Sequence, residues 1–303
     1  MPDFPDPATL AGLSAALIRI PSMPGQEASL AGFLRGWLAE RGVQAWTDPA
    51  GNLLAFVPGR EPGPGWMLLT HLDHVSVGDE SLWTHPPFSG EVEDTAEGAI
   101  VHGRGAVDIK GPLATHAVLL AHLAASPPRR GVLLVAAAQE ETTGAGAAAL
   151  TAAWPPRRPG GEPVEVGAVI VGEPSNNRVM LGHRGILRLL VNLHGSAHHA
   201  SFARTGENPF FALGELLRRL QARRPLPDPV LGEDSIAPTL VGVDSTSANV
   251  TPNTVTLTLD WRTVTADRSV LQRELDALTH GLDATAAVPE AGAQTAAGYH
   301  SPG

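Results

Sequence analysis

The sequence predicts an α/β protein, in which a largely parallel sheet flanked by helices is followed by a smaller α+β domain. Strand-length apolar segments alternate with helix-length segments over residues 10–172, as parallel sheets with crossover helices require. Beyond residue 181 the order of elements changes to β-α-β-β-α, which is typical of a split-βαβ domain. We therefore divide the chain into a first domain at 1–181, a second domain at 182–285 and a short tail at 286–303.

The elements of the first domain follow from two periodicities, which are apolar residues at helical spacing and short continuous apolar runs. The predicted order is helices at 10–20 and 29–41, strands at 45–47, 53–57 and 66–70, a helix at 111–125, a strand at 131–138, a helix at 144–153 and a strand at 166–172. Residues 154–163 are rich in proline, glycine and arginine, which indicates a surface loop.

The second domain contains fewer and longer segments. The predicted order is a strand at 186–193, a helix at 208–222, strands at 236–243 and 254–261, and a helix at 269–280. The strand at 254–261 alternates apolar and polar residues, as a strand with one buried face does. The end of the chain, at 288–303, shows no periodic pattern.

Composition limits the possible partners and ligands. The formal net charge of −10 argues against a nucleic-acid partner and against binding to an anionic membrane. The absence of cysteine excludes disulfides and thiolate nucleophiles, leaving His, Asp and Glu as metal ligands. No signal-peptide pattern opens the sequence, and the apolar runs are far shorter than the ~20 residues of a membrane span. We expect a cytoplasmic protein.

Polar residues follow three predicted strands, and another lies in the glycine-rich turn before the helix at 111–125. The residues concerned are His71, Asp73, Asp108, Glu140, Glu141 and Glu173. Because open α/β sheets bind ligands beyond the carboxyl ends of their strands, we expect these side chains to converge at one edge.

Their chemistry indicates a metal site. Carboxylates that share a cleft raise one another's pKa, and a divalent cation removes that conflict. A sulfur-free set of His and carboxylate ligands suits Zn²⁺, with Co²⁺ or Mn²⁺ as substitutes. A bridging carboxylate can hold two metal ions about 3.5–4 Å apart. Asp73 is placed to accept the ring N–H of His71, and of Glu140 and Glu141 one can bind metal while the other takes a proton.

Taken singly, several of these residues and segments allow other interpretations. Asp108 alone would be read as a helix N-cap, and Glu140–Glu141 alone as a solvated helix start. The sequence has no Gly-x-Ser-x-Gly, which disfavours a serine hydrolase. Residues 144–149 match a loose dinucleotide fingerprint, but the acidic pair before them would repel a pyrophosphate. A non-catalytic relative that holds metal or binds a partner stays open.

Five segments together resemble the zinc-dependent aminoacylase and carboxypeptidase family, which includes acetylornithine deacetylase, succinyl-diaminopimelate desuccinylase and glutamate carboxypeptidase. They are Thr-His-Leu-Asp-His at 70–74, Trp-Thr-His-Pro-Pro-Phe-Ser-Gly at 83–90, Gly-Arg-Gly-Ala-Val-Asp-Ile-Lys-Gly at 103–111, Glu-Glu-Thr-Thr-Gly-Ala-Gly-Ala at 140–147 and Gly-Glu-Pro-Ser at 172–175. The resemblance extends over residues 8 to 285.

The resemblance implies a catalytic first domain that holds one or two zinc ions. By it, His71 and Glu173 bind one metal ion, Glu141 binds the other, and Asp108 bridges them. The implied reaction is hydrolysis of an amide bond in an N-acyl amino acid or small peptide.

The same resemblance assigns the proton chemistry. Asp73 orients the metal-binding histidine. Glu140 is the general base that activates the water and then protonates the leaving amine.

The second domain resembles the lid and dimerisation domain of that family, which implies a homodimer. His199 falls where the family places a histidine that stabilises the oxyanion, and Asn249 and Arg262 where it places substrate-binding residues, with Arg262 on the substrate carboxylate. Family members normally return from the lid to the catalytic domain and supply a further histidine ligand. Here only the tail follows, and we expect His300 to be a tail residue. The chain is therefore expected to lack the C-terminal part of the catalytic domain, as a fragment, a frameshifted product or a shortened variant.

Overall fold

The computed structural model describes residues 7–180 and 182–288, and the backbone of residues 295–296 and 299–300. The chain separates into two compact units, residues 1–177 and 178–303. The predicted α/β class, with a helix-flanked central sheet, is confirmed. Within the described ranges, no helix has the length and apolar character that crossing a membrane demands. The assignment of residues 1–181, 182–285 and 286–303 to catalytic, lid and tail functions stays a prediction.

The first unit has the predicted order of elements, with one addition. Its helices and strands are α1 (Pro7–Ile18), α2 (Ala28–Ala39), β1 (Gln44–Thr47), β2 (Leu53–Val57), β3 (Gly65–His71), β4 (Glu91–Thr95), β5 (Gly98–His102), α3 (Gly111–Ala125), β6 (Val132–Ala137), α4 (Ala145–Ala152) and β7 (Val166–Val171). The addition is the β4–β5 hairpin. It was missed because β4 reads Glu-Val-Glu-Asp-Thr and buries none of its residues, so it carries no alternating apolar signal.

The five-stranded sheet of this unit has the order β1-β2-β6-β3-β7. Strands β6, β3 and β7 run parallel, whereas β1 and β2 add an antiparallel edge. Helices α1, α2 and α3 cover one face of the sheet, and α4 covers the other. Every residue of β6 is therefore buried, with Leu134 in the first core and Leu133 in the second. The three parallel strands are those that precede the polar residues.

The second unit is built on an antiparallel sheet with the order β12-β13-β9-β14. Its elements are β8 (Gly182–His183), β9 (Gly185–His194), α5 (Pro209–Ala222), β10 (Pro227–Asp228), β11 (Gly232–Glu233), β12 (Ser235–Val243), β13 (Thr254–Thr263), α6 (Arg268–Thr279), β14 (Ala284–Thr285), β15 (Thr295–Ala296) and β16 (Tyr299–His300). Alternate residues of β9 and β13 pack against α5 and α6. The half-buried strand predicted at 254–261 is thus present.

Candidate metal centre

The strand ends of the first unit meet because β3, β6 and β7 are parallel and in register. His71, the last residue of β3, pairs with Ala137, the last residue of β6. Leu69 pairs with Val171 at the end of β7. The chain that leaves β6 carries Glu140 and Glu141 to this edge, and the chain that leaves β7 carries Glu173.

Asp108 reaches the same place from a wide helical turn at Ala106–Lys110 that precedes α3. Its backbone angles, φ −120° and ψ 91°, interrupt the turn, and the N-cap of α3 is Lys110. Asp108 is therefore not a helix cap. Its carboxylate oxygen Oδ1 lies 3.1 Å from Nε2 of His71.

The distances around His71 fit a shared cation. Nε2 of His71 lies 3.1 Å from Asp108 Oδ1 and 3.8 Å from Glu173 Oε1. Two donor atoms on one tetrahedral zinc ion, each about 2.0–2.2 Å from it, are separated by roughly 3.3–3.6 Å. One ligand atom each from His71, Asp108 and Glu141 lie within 4.8 Å of one another.

Asp73 connects the end of β3 to the segment after β6. Its carboxylate is fully buried and lies 3.2 Å from Nδ1 of His71. The same carboxylate accepts hydrogen bonds from the backbone N–H groups of Glu140 (3.1 Å) and Glu141 (3.0 Å). Burial is the largest influence on the pKa of Asp73 and would raise it, but hydrogen bonding to His71 and to these two N–H groups lowers it.

The next histidine, His74, is not available to a metal ion. Its Nε2 accepts the backbone N–H of Ser22 at 3.0 Å, and its Nδ1 lies 2.8 Å from the carbonyl oxygen of Val75. Both nitrogens of this fully buried ring are thereby used, and burial lowers its pKa. Its role in the 70–74 motif is structural.

The electrostatics of His71 favour a positive charge. Burial alone would lower the pKa of this ring. Hydrogen bonds to Asp108 and Asp73, and the charges of Glu173 and Glu140, outweigh burial and raise the pKa to about 10. In the metal-free protein His71 therefore carries the proton that a cation would displace.

The carboxylates show the complementary effect. Burial raises the pKa of Glu173 to about 7, with the charges of Asp108, Glu140 and Glu141 acting in the same direction and His71 against it. Burial and the charge of Asp108 likewise raise the pKa of Glu141. Among the described residues, no lysine or arginine forms an ion pair with this acidic cluster. The donor set thus fits a divalent cation.

In the second unit, His199 and Asn249 lie next to each other. His199 forms an isolated antiparallel bridge with Val250, and Ala200 N–H donates to the Asn249 carbonyl oxygen at 2.8 Å. Nδ1 of His199 lies 2.7 Å from Ser201 Oγ, and the ring is exposed.

The neighbouring His198 and the third predicted residue, Arg262, have acidic partners. His198 Nε2 lies 2.7 Å from Glu207 Oε2. Arg262, on β13, donates through Nε to Asp260 at 2.7 Å. The tail prediction for His300 concerns a side chain outside the described residues.

Two buried polar residues near the metal centre were missed by the sequence analysis. They are Glu27, before α2, and Asn52, in the turn between β1 and β2, and both accept hydrogen bonds from the chain that leaves β6. A glutamate at a helix start and an asparagine in a turn are ordinary surface residues in a sequence, so no local signal distinguishes them.

Solved structures with the same fold come from several bacteria. A tripeptidase from Staphylococcus aureus aligns with a TM-score of 0.70 at 17% identity, over 99% of this chain and 79% of that one. An aminopeptidase from Bacillus cereus gives 0.68 at 16% identity, over 99% and 79%. A dinuclear metal-binding peptidase from Bacillus subtilis gives 0.64 at 20% identity, over 92% and 72%. At these identities the likeness shows a shared fold.

The sequence itself provides the assignment. The model of peptidase family M20/M25/M40 matches residues 67–299, which is more than half of the chain and contains the whole acidic cluster. The predicted relationship to metal-dependent hydrolases is therefore confirmed at the level of the family. This chain belongs to peptidase family M20/M25/M40.

Proposed function

We propose that this protein hydrolyses the amide bond of an N-acyl amino acid or a small peptide that bears a free carboxylate. The observation that carries the proposal is the convergence of His71, Asp108 and Glu141, with ligand atoms within 4.8 Å of one another. In the described part of the chain, no lysine or arginine forms an ion pair with this cluster. The peptidase activity named for the S. aureus and B. subtilis structures is consistent with it.

In this proposal His71, Asp108, Glu141 and Glu173 hold one or two zinc ions, with Asp108 between the two positions. Bound zinc lowers the pKa of a coordinated water and polarises the substrate carbonyl. Asp73 accepts the Nδ1–H of His71 and so leaves Nε2 unprotonated toward the metal.

Glu140 is proposed as the general base. It follows β6 directly, its side chain is exposed, and its backbone is fixed by Asp73. Its carboxylate takes a proton from the attacking water as the oxygen adds to the carbonyl carbon. The same carboxylic acid then donates that proton to the leaving nitrogen as the C–N bond breaks.

Substrate recognition is assigned to the second unit. Arg262 would bind the substrate carboxylate and Asn249 would hold the substrate, while His199 would stabilise the oxyanion. His199 is preferred to His198, whose Nε2 lies 2.7 Å from the Glu207 carboxylate. We further propose a homodimer formed through this unit and a cytoplasmic location.

The test combines metal analysis with a substrate panel. Protein purified without chelator is expected to contain one to two equivalents of zinc and to hydrolyse at least one member of a panel of N-acyl amino acids and di- and tripeptides. Activity should be lost with a chelator and restored by Zn²⁺, Co²⁺ or Mn²⁺. Less than about one equivalent of metal would contradict the metal site. Bound metal without hydrolysis would favour the non-catalytic alternative.

A further inference from the structure

Four consecutive backbone N–H groups after β6 each donate to a buried side chain from a distant part of the first unit. The regular sheet ends where Leu72 N–H donates to the carbonyl oxygen of Ala137 at 2.8 Å. The next four bonds are Ala138 N–H to Asn52 Oδ1 (2.9 Å), Gln139 N–H to Glu27 Oε1 (3.0 Å), Glu140 N–H to Asp73 Oδ1 (3.1 Å) and Glu141 N–H to Asp73 Oδ2 (3.0 Å). Side chains thus continue the hydrogen bonding that a neighbouring strand would otherwise provide.

The three acceptors are withdrawn from solvent. Asn52 and Asp73 are fully buried, and Glu27 is 6% exposed. Water therefore cannot readily replace them as partners for the four N–H groups. They come from three places in the chain, namely the entry to α2, the β1–β2 turn and the end of β3.

The segment they hold has a backbone that needs support. Gln139 has φ +57°, the left-handed region that residues with a Cβ atom rarely occupy. Its carbonyl oxygen accepts the N–H groups of Thr143 (3.2 Å) and Gly144 (2.8 Å), which closes the turn that presents Glu140 and Glu141. An unfavourable conformation of this kind persists where the surroundings determine it.

Asn52 forms hydrogen bonds at both ends of residues 138–146. While its Oδ1 accepts from Ala138, its Nδ2 donates to the carbonyl oxygen of Gly146 at 2.9 Å. A Cβ atom at Gly146 would lie 2.2 Å from Asn52 Oδ1, so the absence of a side chain at 146 permits this approach. Asp48 fixes Asn52 in turn by accepting from its Nδ2 at 2.7 Å.

We propose that Glu27 and Asn52 are positioning residues, which together with Asp73 fix the backbone of Glu140 and Glu141. The chemical roles of Glu140 and Glu141 rest on the proposed function, whereas the hydrogen-bonded segment does not depend on it. Neither Glu27 nor Asn52 contacts the substrate or the metal in this proposal. They act through the four N–H groups of residues 138–141.

The experiment compares Glu27→Ala with Glu27→Gln in the full chain. The amide oxygen of glutamine can still accept from Gln139, whereas alanine removes the acceptor of this half-buried N–H. Glu40→Ala is the matched control, because the Glu40 side chain is 78% exposed. Hydrogen exchange of peptides covering residues 138–146 reports the backbone, and chelator competition reports the zinc dissociation constant.

For Glu27→Ala we expect exchange in the 138–146 peptides to rise about tenfold or more, and the zinc dissociation constant to rise about tenfold. With an active substrate, kcat should fall by a similar factor while KM stays within about twofold. Glu27→Gln and Glu40→Ala should stay within about twofold of the unmodified protein in each measurement.

Asn52→Ala is the second variant, and its hydrogen exchange is measured in the same peptides. It provides the test if Glu27→Ala does not fold. Unchanged exchange at 138–146 in both alanine variants would overturn the proposal. Faster exchange with unchanged zinc affinity and kcat would overturn it too, because the segment would then not position the site. Faster exchange and weaker zinc binding in a protein that hydrolyses nothing would support the positioning role and refute the proposed hydrolysis.

Discussion

The two units hold their candidate functional residues in different ways. In the first unit, three parallel strands end at one edge, so the backbone itself brings their polar residues together. His71 is the last residue of β3, and Glu141 and Glu173 follow β6 and β7. In the second unit, His199 and Arg262 lie on exposed or half-exposed surface and contact local partners, Ser201 and Asp260. The sheet topology therefore determines where the residues of the first unit lie, whereas contacts with neighbouring side chains determine the positions of those in the second unit.

The two units also differ in the charge around their candidate functional residues. The first cluster holds more carboxylates than cations among the described residues, and His71 and Glu173 respond with raised pKa values. Around β13 the excess has the opposite sign, because a single carboxylate, Asp260, accepts from two arginines, Arg262 at 2.7 Å and Arg188 at 3.3 Å. An excess of carboxylates is typical of a cation site, whereas an excess of arginines suits a ligand that carries a carboxylate. We therefore expect catalysis to depend on the first unit and substrate affinity on the second.

The largest expected effect is that of Glu140→Ala. Loss of the general base should lower kcat by about 10²–10⁴-fold, with zinc content unchanged, because Glu140 is not a proposed ligand. Kinetics on the best substrate of the panel, with metal analysis of the same preparation, checks this. Glu141→Ala, one residue further on, serves as the comparison and should lose zinc instead. If the Glu140→Ala enzyme kept its activity, Glu140 would not be the general base.

The second prediction concerns substrate affinity. Arg262→Ala should lower kcat/KM about 10–100-fold for substrates with a free carboxylate, mainly through KM, since one charge-assisted hydrogen bond is lost. Arg188→Ala is the matched control, because Arg188 shares the partner Asp260. Its effect should be within about twofold. Equal effects of the two substitutions on KM would remove Arg262 from substrate binding.

The third prediction is a pH dependence of zinc stabilisation. Zinc must displace the proton of His71, whose pKa is raised to about 10, and below about pH 7 that of Glu173 as well. Zinc affinity should therefore increase with pH. The raised pKa of His71 also stabilises the metal-free fold below its unfolded value near 6.5, and this stabilisation is lost as pH rises toward 10.

The rise in zinc affinity and the loss of stability of the metal-free fold both increase the stabilisation by zinc as pH rises. The Tm with zinc minus the Tm with chelator should be larger at about pH 8 than at about pH 6, by a few degrees. A difference that shrinks over this interval would show that His71 does not bind the metal.

The smallest effect on zinc binding is expected from a substitution of Gly172, the residue before Glu173. Gly172 N–H donates to Leu69 at 2.8 Å, and a Cβ atom at Gly172 would lie 2.6 Å from Cε1 of the buried His116. Gly172→Ala should therefore displace Glu173 and weaken zinc binding about three- to tenfold. Adding His116→Ala should remove the clash and restore most of the affinity. If the double variant binds zinc no better than Gly172→Ala, the contact with His116 is not the cause.

The sequence alone was enough to predict the main helices and strands of both units and a metal site at the strand ends of the first. Apolar periodicity is local, so the strand at 166–172 and the helix at 111–125 could be assigned from their own residues. Ligand chemistry is also local, because the type of each side chain and its place after a strand can be read from nearby residues. His and carboxylate side chains suit a divalent metal, and open α/β sheets bind ligands beyond the carboxyl ends of their strands. Hairpin β4–β5 shows the limit of this approach, since an exposed strand has no apolar pattern to detect.

Only the tertiary structure decided which polar residues are buried and what they hold. Glu27 and Asn52 are far in sequence from residues 138–141, and their burial depends on the helices and turns that pack over them. Asp73 was predicted as a partner of His71, but its two bonds to the N–H groups of Glu140 and Glu141 required the register of β3 against β6. Burial and register arise from contacts between distant segments, which no local pattern records.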